Sequence, residues 1–229
     1  MTSLPELAVI IPVYNEVHTL ATIVTQLTEL PLHCQIIVVD DASCDGTSEV
    51  VTTLARQGII RALVHTHNRG KGAAIRSALT LVTAPVVVIQ DADLEYDPQD
   101  FVAMLAQIQA GADVVYGSRF WRWHPTGMLW SHMLGNRLLT WCFNVVYGSH
   151  LTDLETCYKM WRVQTMQHLR IDNDRFDIDP ELTAKWVRAG YRIVEVPVTY
   201  RGRPYRAGKK IRPKDALSAL GAIWRYRKE

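Results

Sequence analysis

Three carboxylates at alternating positions follow an apolar run near the middle of the chain. Residues 86–89 are all β-branched, which predicts a strand buried on both faces, and Asp91, Asp93 and Glu95 come just after it. Ligands of open α/β sheets bind at the carboxyl ends of the strands. Carboxylates that converge there repel one another unless a cation lies between them, and ligands that are all oxygen favour Mg²⁺ or Mn²⁺. The alternative is a solvated acidic turn before the helix that begins at Asp97.

Acidic side chains also follow two earlier apolar runs. Residues 7–11 lead into a loop that contains Glu16, and residues 35–39 are followed by Asp40 and Asp41. Carboxylates at such positions can accept hydrogen bonds from a nucleobase N–H or from ribose hydroxyls, or hold a metal over a diphosphate. For Asp40 and Asp41, a role in a turn and a helix cap is an equal alternative.

The pattern around these acids predicts an α/β fold. Short apolar runs alternate with helical patterns through short loops, which indicates βαβ units and a parallel sheet. The predicted strands are residues 7–11, 35–39, 59–64, 86–89, 112–116, 157–161 and 191–200. The predicted helices include residues 20–27, 47–56, 73–81, 179–189 and 216–226. Ser43 or Asp45 is expected to cap the second of these helices, and Asp179 to cap the fourth.

Several other kinds of site are not indicated. No G-x-G-x-x-G follows the first strand, and Gly70-Lys71-Gly72 lacks the Ser or Thr that a P-loop places after its lysine. The four cysteines form no C-x-x-C pair, so neither a zinc site nor a disulfide framework is expected. His65 and His67 have no evident third ligand, so we interpret them as strand-end residues rather than a zinc site.

Five short segments occur in the order and at the spacing of one enzyme family. They are Pro-Val-Tyr-Asn-Glu at 12–16, Val-Asp-Asp at 39–41 with Asp-Gly-Thr at 45–47, Asn-x-Gly-Lys-Gly-x-Ala at 68–74, Asp-Ala-Asp-Leu at 91–94 and Gly-Ser-Arg at 117–119. Together they resemble the inverting family 2 glycosyltransferases of GT-A fold, and within these the dolichyl- and polyprenyl-phosphate mannosyl- or glucosyltransferases. The resemblance implies a single GT-A domain over residues 1–229, with a mostly parallel, Rossmann-like sheet flanked by helices. Residues 1–118 would form the nucleotide-sugar-binding half, and residues 119–229 an acceptor-side half with amphipathic helices.

The resemblance also implies the reaction and its donor site. The reaction is transfer of mannose or glucose, with inversion, from a GDP- or UDP-sugar to a polyprenyl phosphate. The residues carried over to substrate binding are Pro12, Tyr14, Asn15 and Glu16 in the nucleotide pocket, Asp40 or Asp41 at the base and ribose, and Lys71, Asp91, Ala92 and Asp93. Asp91, Asp93 and Glu95 are the expected ligands of Mg²⁺ or Mn²⁺, which would act as a Lewis acid on the leaving diphosphate. Arg203 and Lys210 resemble a basic loop that closes over the donor diphosphate, and a solvated basic loop is the alternative.

A second group of residues is assigned to the acceptor by the same resemblance. Arg119 and Arg137 would bind the acceptor phosphate, and Asp153 would lie near the reaction centre. Asp93, Arg119 and Asp153 are therefore the predicted catalytic residues. A hydroxyl acceptor would need a general base, whereas a phosphate monoester, with a second pKa near ~6, is largely ionised at neutral pH. Whether Asp153 takes a proton or only orients its neighbours is left open.

The distribution of charge and of apolar residues suggests a membrane surface. Residues 201–229 carry ten Lys or Arg and two acids, a net charge of +8, whereas the rest of the chain is at −6. A basic segment on an acidic body favours an anionic partner. Trp130, Leu134, Leu138, Trp141 and Val145 recur at near-helical spacing. This stripe fits either a helix that faces the core or a helix that lies in the membrane interface.

Peripheral membrane attachment is the expectation for location. No apolar run is long enough to span a bilayer, and residues 1–7 lack the basic start of a signal peptide. The protein is therefore expected in the cytoplasm at the membrane surface, with no nucleic acid partner and with a separate membrane protein as a further partner to consider. Two other functions stay open: a soluble family 2 transferase with a hydroxyl acceptor, and a non-catalytic protein that binds nucleotide sugars or a membrane surface. Intact Asp91 and Asp93 favour the enzyme.

Overall fold

Seven strands of the chain form one sheet. The computed structural model describes residues 4–121, 126–175, 177–203 and 213–227. The strands are β1 (Leu7–Val13), β2 (Cys34–Asp40), β3 (Arg61–Val64), β4 (Val86–Ile89), β5 (Val114–Ser118), β6 (Lys159–Arg162) and β7 (Ile193–Pro197). They lie in the order β3-β2-β1-β4-β6-β5-β7, and all neighbours are parallel except β6, which is antiparallel to both β4 and β5. The predicted α/β fold with a mostly parallel sheet is confirmed.

Seven α-helices flank this sheet in the described part of the chain. They are α1 (Leu20–Thr28), α2 (Thr47–Arg56), α3 (Lys71–Leu79), α4 (Asp100–Gln109), α5 (Trp130–Tyr147), α6 (Ile178–Arg188) and α7 (Pro213–Arg225). Helix α1 illustrates how these helices pack on the sheet. Leu20, Ile23, Val24 and Leu27 are buried, and this spacing places one apolar face of α1 on the core.

The centre of the sheet is built from β-branched residues. All four residues of β4 are buried, and so are six of the seven residues of β1. Full burial of one such side chain contributes about 1.5–3 kcal/mol, so these runs hold the two strands firmly in place. From β1 the chain passes to β2 and β3 on one side, and then returns to β4 on the other side. Loops that leave the carboxyl ends of β1 and β4 therefore diverge, and a crevice opens between them.

Most predicted elements are present, with shifted ends. The third strand is Arg61–Val64 rather than 59–64, and the last is Ile193–Pro197 rather than 191–200. The residues left out flank the paired segments and form loops.

Of the two helix-capping predictions, the one for Asp179 is wrong. The N-cap position of α2 is taken by Gly46, with φ of 98°, but Asp45 Oδ1 accepts the backbone N–H of Thr47, the first residue of α2, at 3.0 Å. Asp179 lies inside α6, which begins one residue earlier with Asp177 at its N-cap position. The Asp179 carboxylate is instead buried, where it pairs with the ammonium of Lys159 at 2.7 Å.

The apolar stripe of α5 faces outward. Its members Trp130, Leu134, Leu138, Trp141 and Val145 are exposed, with 72% exposure at Trp130 and 62% at Trp141. The buried positions of α5 are on another face and include Leu139 and Phe143. The core-facing interpretation of the stripe is therefore wrong. Among the described helices, none combines the length and the hydropathy that a membrane crossing requires.

Candidate active site

The loop after β1 is held against the loop after β2. The backbone N–H of Asn15, a residue with φ of 53°, donates to Ser43 Oγ at 2.9 Å, and Asn15 Oδ1 accepts from the N–H of Cys44 at 2.8 Å. The N–H of Val17 donates to Asp45 Oδ2 at 3.2 Å. Ser43 and Asp45, predicted as helix caps, thus shape the start of the crevice. These two partners lie 28 residues away, so no local pattern could identify the contacts, although Asp45 also bonds to the nearby Thr47.

Asp40 is buried at the end of β2. Its carboxylate accepts the backbone N–H of Ser43 at 3.0 Å and the hydroxyl of Ser48. These contacts match the role in a turn and a helix that is the alternative to nucleotide binding for Asp40. Contact of Asp40 with a base or ribose stays a prediction.

Asp41 is also buried, and it holds the loop between β3 and α3. It accepts the backbone N–H groups of Arg69 and Gly70 at 2.9 and 2.7 Å, and His65 Nδ1 lies 2.6 Å from its Oδ1. The other ring nitrogen of His65 contacts Ser77. His65 is therefore a strand-end residue, as predicted, and nucleotide contact by Asp41 stays a prediction.

Asp91 is paired with a lysine at the carboxyl end of β4. The ammonium of Lys71, at the start of α3, lies 2.8 Å from its Oδ1. Burial alone would raise the pKa of the Asp91 carboxyl, but the charge of Lys71 outweighs burial and holds that pKa below its usual value. Lys71 and Asp91, both predicted to bind substrate, thus form one ion pair. Asp91 therefore stays ionised at neutral pH.

Asp93 lies in a more negative setting. Burial, and then the charges of Asp91 and Glu95, raise the pKa of its carboxyl to about 7, although Arg203 acts in the opposite direction. Among the described residues, its carboxylate accepts one hydrogen bond, from the N–H of Glu95 at 3.2 Å. A proton or a cation is needed to relieve this repulsion.

The segment that ends at Arg203 lies over these acids. Glu95 accepts the hydroxyl of Tyr200 and, at 2.8 Å, the backbone N–H of Arg203. The guanidinium of Arg203 donates to the carbonyl of Asp93 at 2.6 Å and to the carboxylate of Glu16 at 2.9 Å. Arg203 therefore bridges the loops after β1 and β4. Lys210, assigned with it to a basic loop, lies outside the described residues.

A cavity of about 580 Å³ opens between these loops. Its lining includes Asn15, Glu16, Asp45, Asp93 and Arg203. Small-molecule sites commonly have this size and a few convergent polar groups. Pro12 lies just before this loop, in β1, and Tyr14 precedes Asn15. Of the predicted nucleotide-pocket residues, Asn15 and Glu16 therefore line this cavity, whereas Asp40 and Asp41 are held by protein groups. A place in the pocket for Pro12 and Tyr14 stays a prediction.

The described side chains form no metal cage of three or more His, Cys, Asp or Glu. Mg²⁺ is usually bound by one or two carboxylates together with substrate phosphates and water, so a full protein cage is not required. The charges of Asp91 and Glu95 beside the buried Asp93 give this site negative charge that a cation would offset. Asp91 and Asp93 thus fit a metal shared with a diphosphate. Both oxygens of Glu95 are engaged by Tyr200 and Arg203, and its role as a ligand stays a prediction.

Arg119 and Asp153, both predicted on the acceptor side, form a buried ion pair. Arg119 donates from Nε and Nη2 to the two carboxylate oxygens at 2.7 Å each, and its backbone N–H donates to Oδ2 at 3.0 Å. Their side chains are 8% and 0% exposed. The remaining guanidinium nitrogen, Nη1, makes no hydrogen bond with a described residue. This geometry favours the orienting role for Asp153 and leaves Nη1 of Arg119 without a partner among the described residues.

Arg137 lies on the same aromatic ring as Arg119. The two guanidinium carbons are 5.6 and 5.5 Å from the centroid of Phe120, so the predicted acceptor-side arginines are brought together. Arg137 is exposed, so its charge carries no burial cost.

Two residues that the sequence did not indicate complete this side. Glu195, on β7, accepts the backbone N–H groups of Thr152 and Asp153 at 2.9 to 3.2 Å and so fixes the loop that carries Asp153. The ring of Tyr200 lies 5.4 Å from the Arg119 guanidinium. An acid in a strand and a tyrosine after it are common residues, so no local signal could have identified either.

Comparison with known proteins identifies the family of this chain. The family model described as "Glycosyl transferase family 2" matches residues 8–165. Undecaprenyl-phosphate mannosyltransferase of Micrococcus luteus is 29% identical over 202 residues, which span 83% of this chain and 82% of the relative. Polyprenol monophosphomannose synthase of Mycolicibacterium smegmatis is 28% identical over 213 residues, 88% of this chain and 79% of the relative. Glycosyltransferase AglJ of Haloferax volcanii is 27% identical over 197 residues, and the match spans 86% of this chain but only 63% of the relative.

Solved structures share the fold. Glucosyl-3-phosphoglycerate synthase from Mycobacterium tuberculosis has a TM-score of 0.74 at 16% identity, covering 98% of this chain and 81% of that chain. Its complex with Mn²⁺, uridine diphosphate and phosphoglyceric acid has a TM-score of 0.72 at 16% identity, covering 97% and 78%. The predicted GT-A fold is confirmed by this likeness. Because the family model covers more than half of the chain, this protein belongs to glycosyl transferase family 2 and is a glycosyltransferase.

Proposed function

We propose that the enzyme transfers mannose or glucose, with inversion, from a GDP- or UDP-sugar to a polyprenyl phosphate. One observation carries the proposal: the cationic acceptor side adjoins an exposed apolar surface. Arg137 meets Arg119 across Phe120, and it lies on the same helix as the outward stripe of Trp130 to Val145. A polyprenyl phosphate has an anionic head and an apolar tail, which match these two features. The relatives named for undecaprenyl-phosphate and polyprenol mannose transfer support the same acceptor class.

The donor is assigned to the cavity beside Asp93. Arg203 supplies a guanidinium for the diphosphate there, and Lys71 balances the charge of Asp91. Asp91 and Asp93 would hold Mg²⁺ or Mn²⁺, and a divalent cation in that place supplies Lewis acidity to the leaving diphosphate. Glu16 and Asn15 position the nucleotide. The fixed loops serve chiefly to orient the reactants.

On the acceptor side, the protein needs to place a nucleophile rather than create one. A phosphate monoester is largely ionised at neutral pH and can attack the anomeric carbon directly, without a covalent sugar–enzyme intermediate. Nη1 of Arg119 would bind a phosphate oxygen, and Asp153 holds the guanidinium in orientation. Asp153 is fully engaged by Arg119, so a role as general base for a hydroxyl acceptor is less well supported.

The location proposed is the cytoplasmic face of a membrane, with peripheral attachment. The exposed stripe of α5 would enter the interface, and the net charge of +8 over residues 201–229 would attract anionic lipid headgroups. Each basic residue near an anionic surface contributes about 1 kcal/mol, so a few suitably oriented ones give reversible binding.

A donor and acceptor screen tests the proposal. Purified enzyme with Mg²⁺ or Mn²⁺ is given GDP- and UDP-sugars and a short-chain polyprenyl phosphate, and lipid-linked sugar is measured by mass spectrometry. Arg137→Ala should raise the acceptor KM about tenfold, since a charge-assisted contact contributes roughly 1.5–3 kcal/mol when buried and less at this exposed site. Arg56→Ala, an exposed arginine at the end of α2, is the matched control. If product forms only with a soluble hydroxyl acceptor, the lipid acceptor is wrong.

A further inference from the structure

Glu155 lies in the loop that precedes β6, at the edge of the sheet where the site is built. On one side of it, Thr156 donates its hydroxyl to the carbonyl of Gly117 at the end of β5. On the other side, Cys157 contacts the carbonyl of Ile89 at the end of β4 through its sulfur. The loop therefore crosses the carboxyl ends of β4 and β5. It lies between Asp91 and Asp93, which follow β4, and Arg119, which follows β5.

The charged groups that face Glu155 already have partners. Lys159 on β6 is paired with Asp179 on α6 at 2.7 Å, and Arg119 is paired with Asp153 at 2.7 Å. The charges of these four residues act on the Glu155 carboxyl, and that of Asp179 acts most strongly. Two cations are thus committed to two other carboxylates, and Glu155 is a third acid between them.

One carboxyl oxygen of Glu155 is unsatisfied. Its Oε1 is buried and has no hydrogen-bond partner among the described residues, although the residue as a whole keeps some exposure. A buried polar atom without a partner is costly, and such atoms are rare in folded proteins. Burial, and then the charge of Asp179, raise the pKa of the Glu155 carboxyl to about 7. The neutral acid, which carries an O–H donor, is therefore well populated at neutral pH.

We propose that Glu155 is an acceptor-binding residue that, as a neutral carboxylic acid, donates a hydrogen bond to the phosphate held by Arg119. This inference rests on the proposed phosphate acceptor. A phosphate entering beside Arg119 brings negative charge toward Glu155, which favours the protonated acid further. The contact would supply the missing partner and would neutralise none of the phosphate's charge, so the nucleophile stays ionised.

The proposal predicts a specific pH dependence of phosphate binding. Because the donor form is protonated, affinity for a phosphate monoester should fall as the pH rises above about 7, where Glu155 loses its proton. Glu155→Gln keeps an N–H donor at every pH, so this variant should bind well and lack the decline. Glu155→Ala should bind about tenfold more weakly at pH 6.5, where the wild-type donor is present. Glu29→Gln, at an exposed glutamate, is the matched control.

Equilibrium binding of a short-chain polyprenyl phosphate and of inorganic phosphate, measured from pH 6 to 9 by calorimetry, tests the inference. Loss of binding in Glu155→Gln at all pH values, or a wild-type decline that persists in this variant, overturns it. An unfolded Glu155→Ala variant leaves the Glu155→Gln profile to decide. Equal affinity for the two probes would leave the Glu155 contact standing and remove the lipid from the proposed function. If the wild type binds neither probe, the Glu155 contact and the proposed phosphate acceptor are both wrong. In that case, a loss of transfer to a hydroxyl acceptor in Glu155→Gln would make Glu155 the general base.

Discussion

The ion pair between Arg119 and Asp153 offers a sharp test of how the acceptor side is built. Asp153→Asn removes the charge that holds two guanidinium hydrogen bonds of 2.7 Å, in side chains only 8% and 0% exposed. Removing one member of a buried pair costs about 3–5 kcal/mol, because the other charge stays buried without compensation. Asparagine keeps one acceptor oxygen, so we expect a loss of stability at the lower end of this range, about 3 kcal/mol. At about 2–4 °C per kcal/mol for a chain of this size, the melting temperature should fall by about 6–12 °C.

The assay pairs stability with acceptor kinetics. Thermal and urea unfolding of Asp153→Asn give the loss of stability, and initial rates at saturating donor give the acceptor KM, which should rise because Arg119 is no longer oriented. Asp113→Asn is the matched control. Its pair with Arg162 is 3.8 Å long and its side chains are 38% and 31% exposed, so the loss should stay below about 1 kcal/mol.

A double replacement separates stability from function. Arg119→Met with Asp153→Leu removes both charges, and apolar residues of similar volume often replace a buried pair with little loss. This variant should recover most of the stability but none of the acceptor affinity. If Asp153→Asn melts with the wild type and keeps its acceptor KM, the pair neither stabilises the fold nor orients Arg119, and the reasoning is wrong.

Two further predictions concern the metal and the membrane. Asp93→Asn and excess chelator should each abolish transfer. The mutation should not lower the melting temperature, because it removes one of the charges that repel one another in the metal-free site. Metal titration and melting curves check this, and full activity in chelator would exclude a metal. Trp141→Ala and Trp130→Ala should change stability by less than about 0.5 kcal/mol and weaken co-sedimentation with anionic liposomes, whereas Trp161→Ala, fully buried, should cost about 3–5 kcal/mol. Unfolding in the first two variants would instead show that the stripe is structural.

The sequence by itself was enough for the class of fold and the position of the central acids. A β-branched run such as residues 86–89 favours a buried strand, and Asp91 and Asp93 then emerge at its carboxyl end. Helical spacing likewise predicted α5. These inferences succeed because strand and helix periodicity are local properties of the backbone.

Tertiary structure decided which partner each polar group has. Ser43 and Asp45 bond to a loop 28 residues away, and Asp153 meets Arg119 across 34 residues. Asp179 is an ion-pair partner of Lys159 rather than a helix cap. Such pairings depend on which strands become neighbours, and β6 enters between β4 and β5 only after a long excursion through α5.

The same distinction applies to the stripe of α5. Periodicity predicts that Trp130, Leu134 and Trp141 share a face, but it does not say whether that face meets the core or the surroundings. Packing of the opposite face, through Leu139 and Phe143, leaves the stripe outside. An amphipathic pattern defines the faces of a helix, and only its neighbours in the fold determine which face is covered.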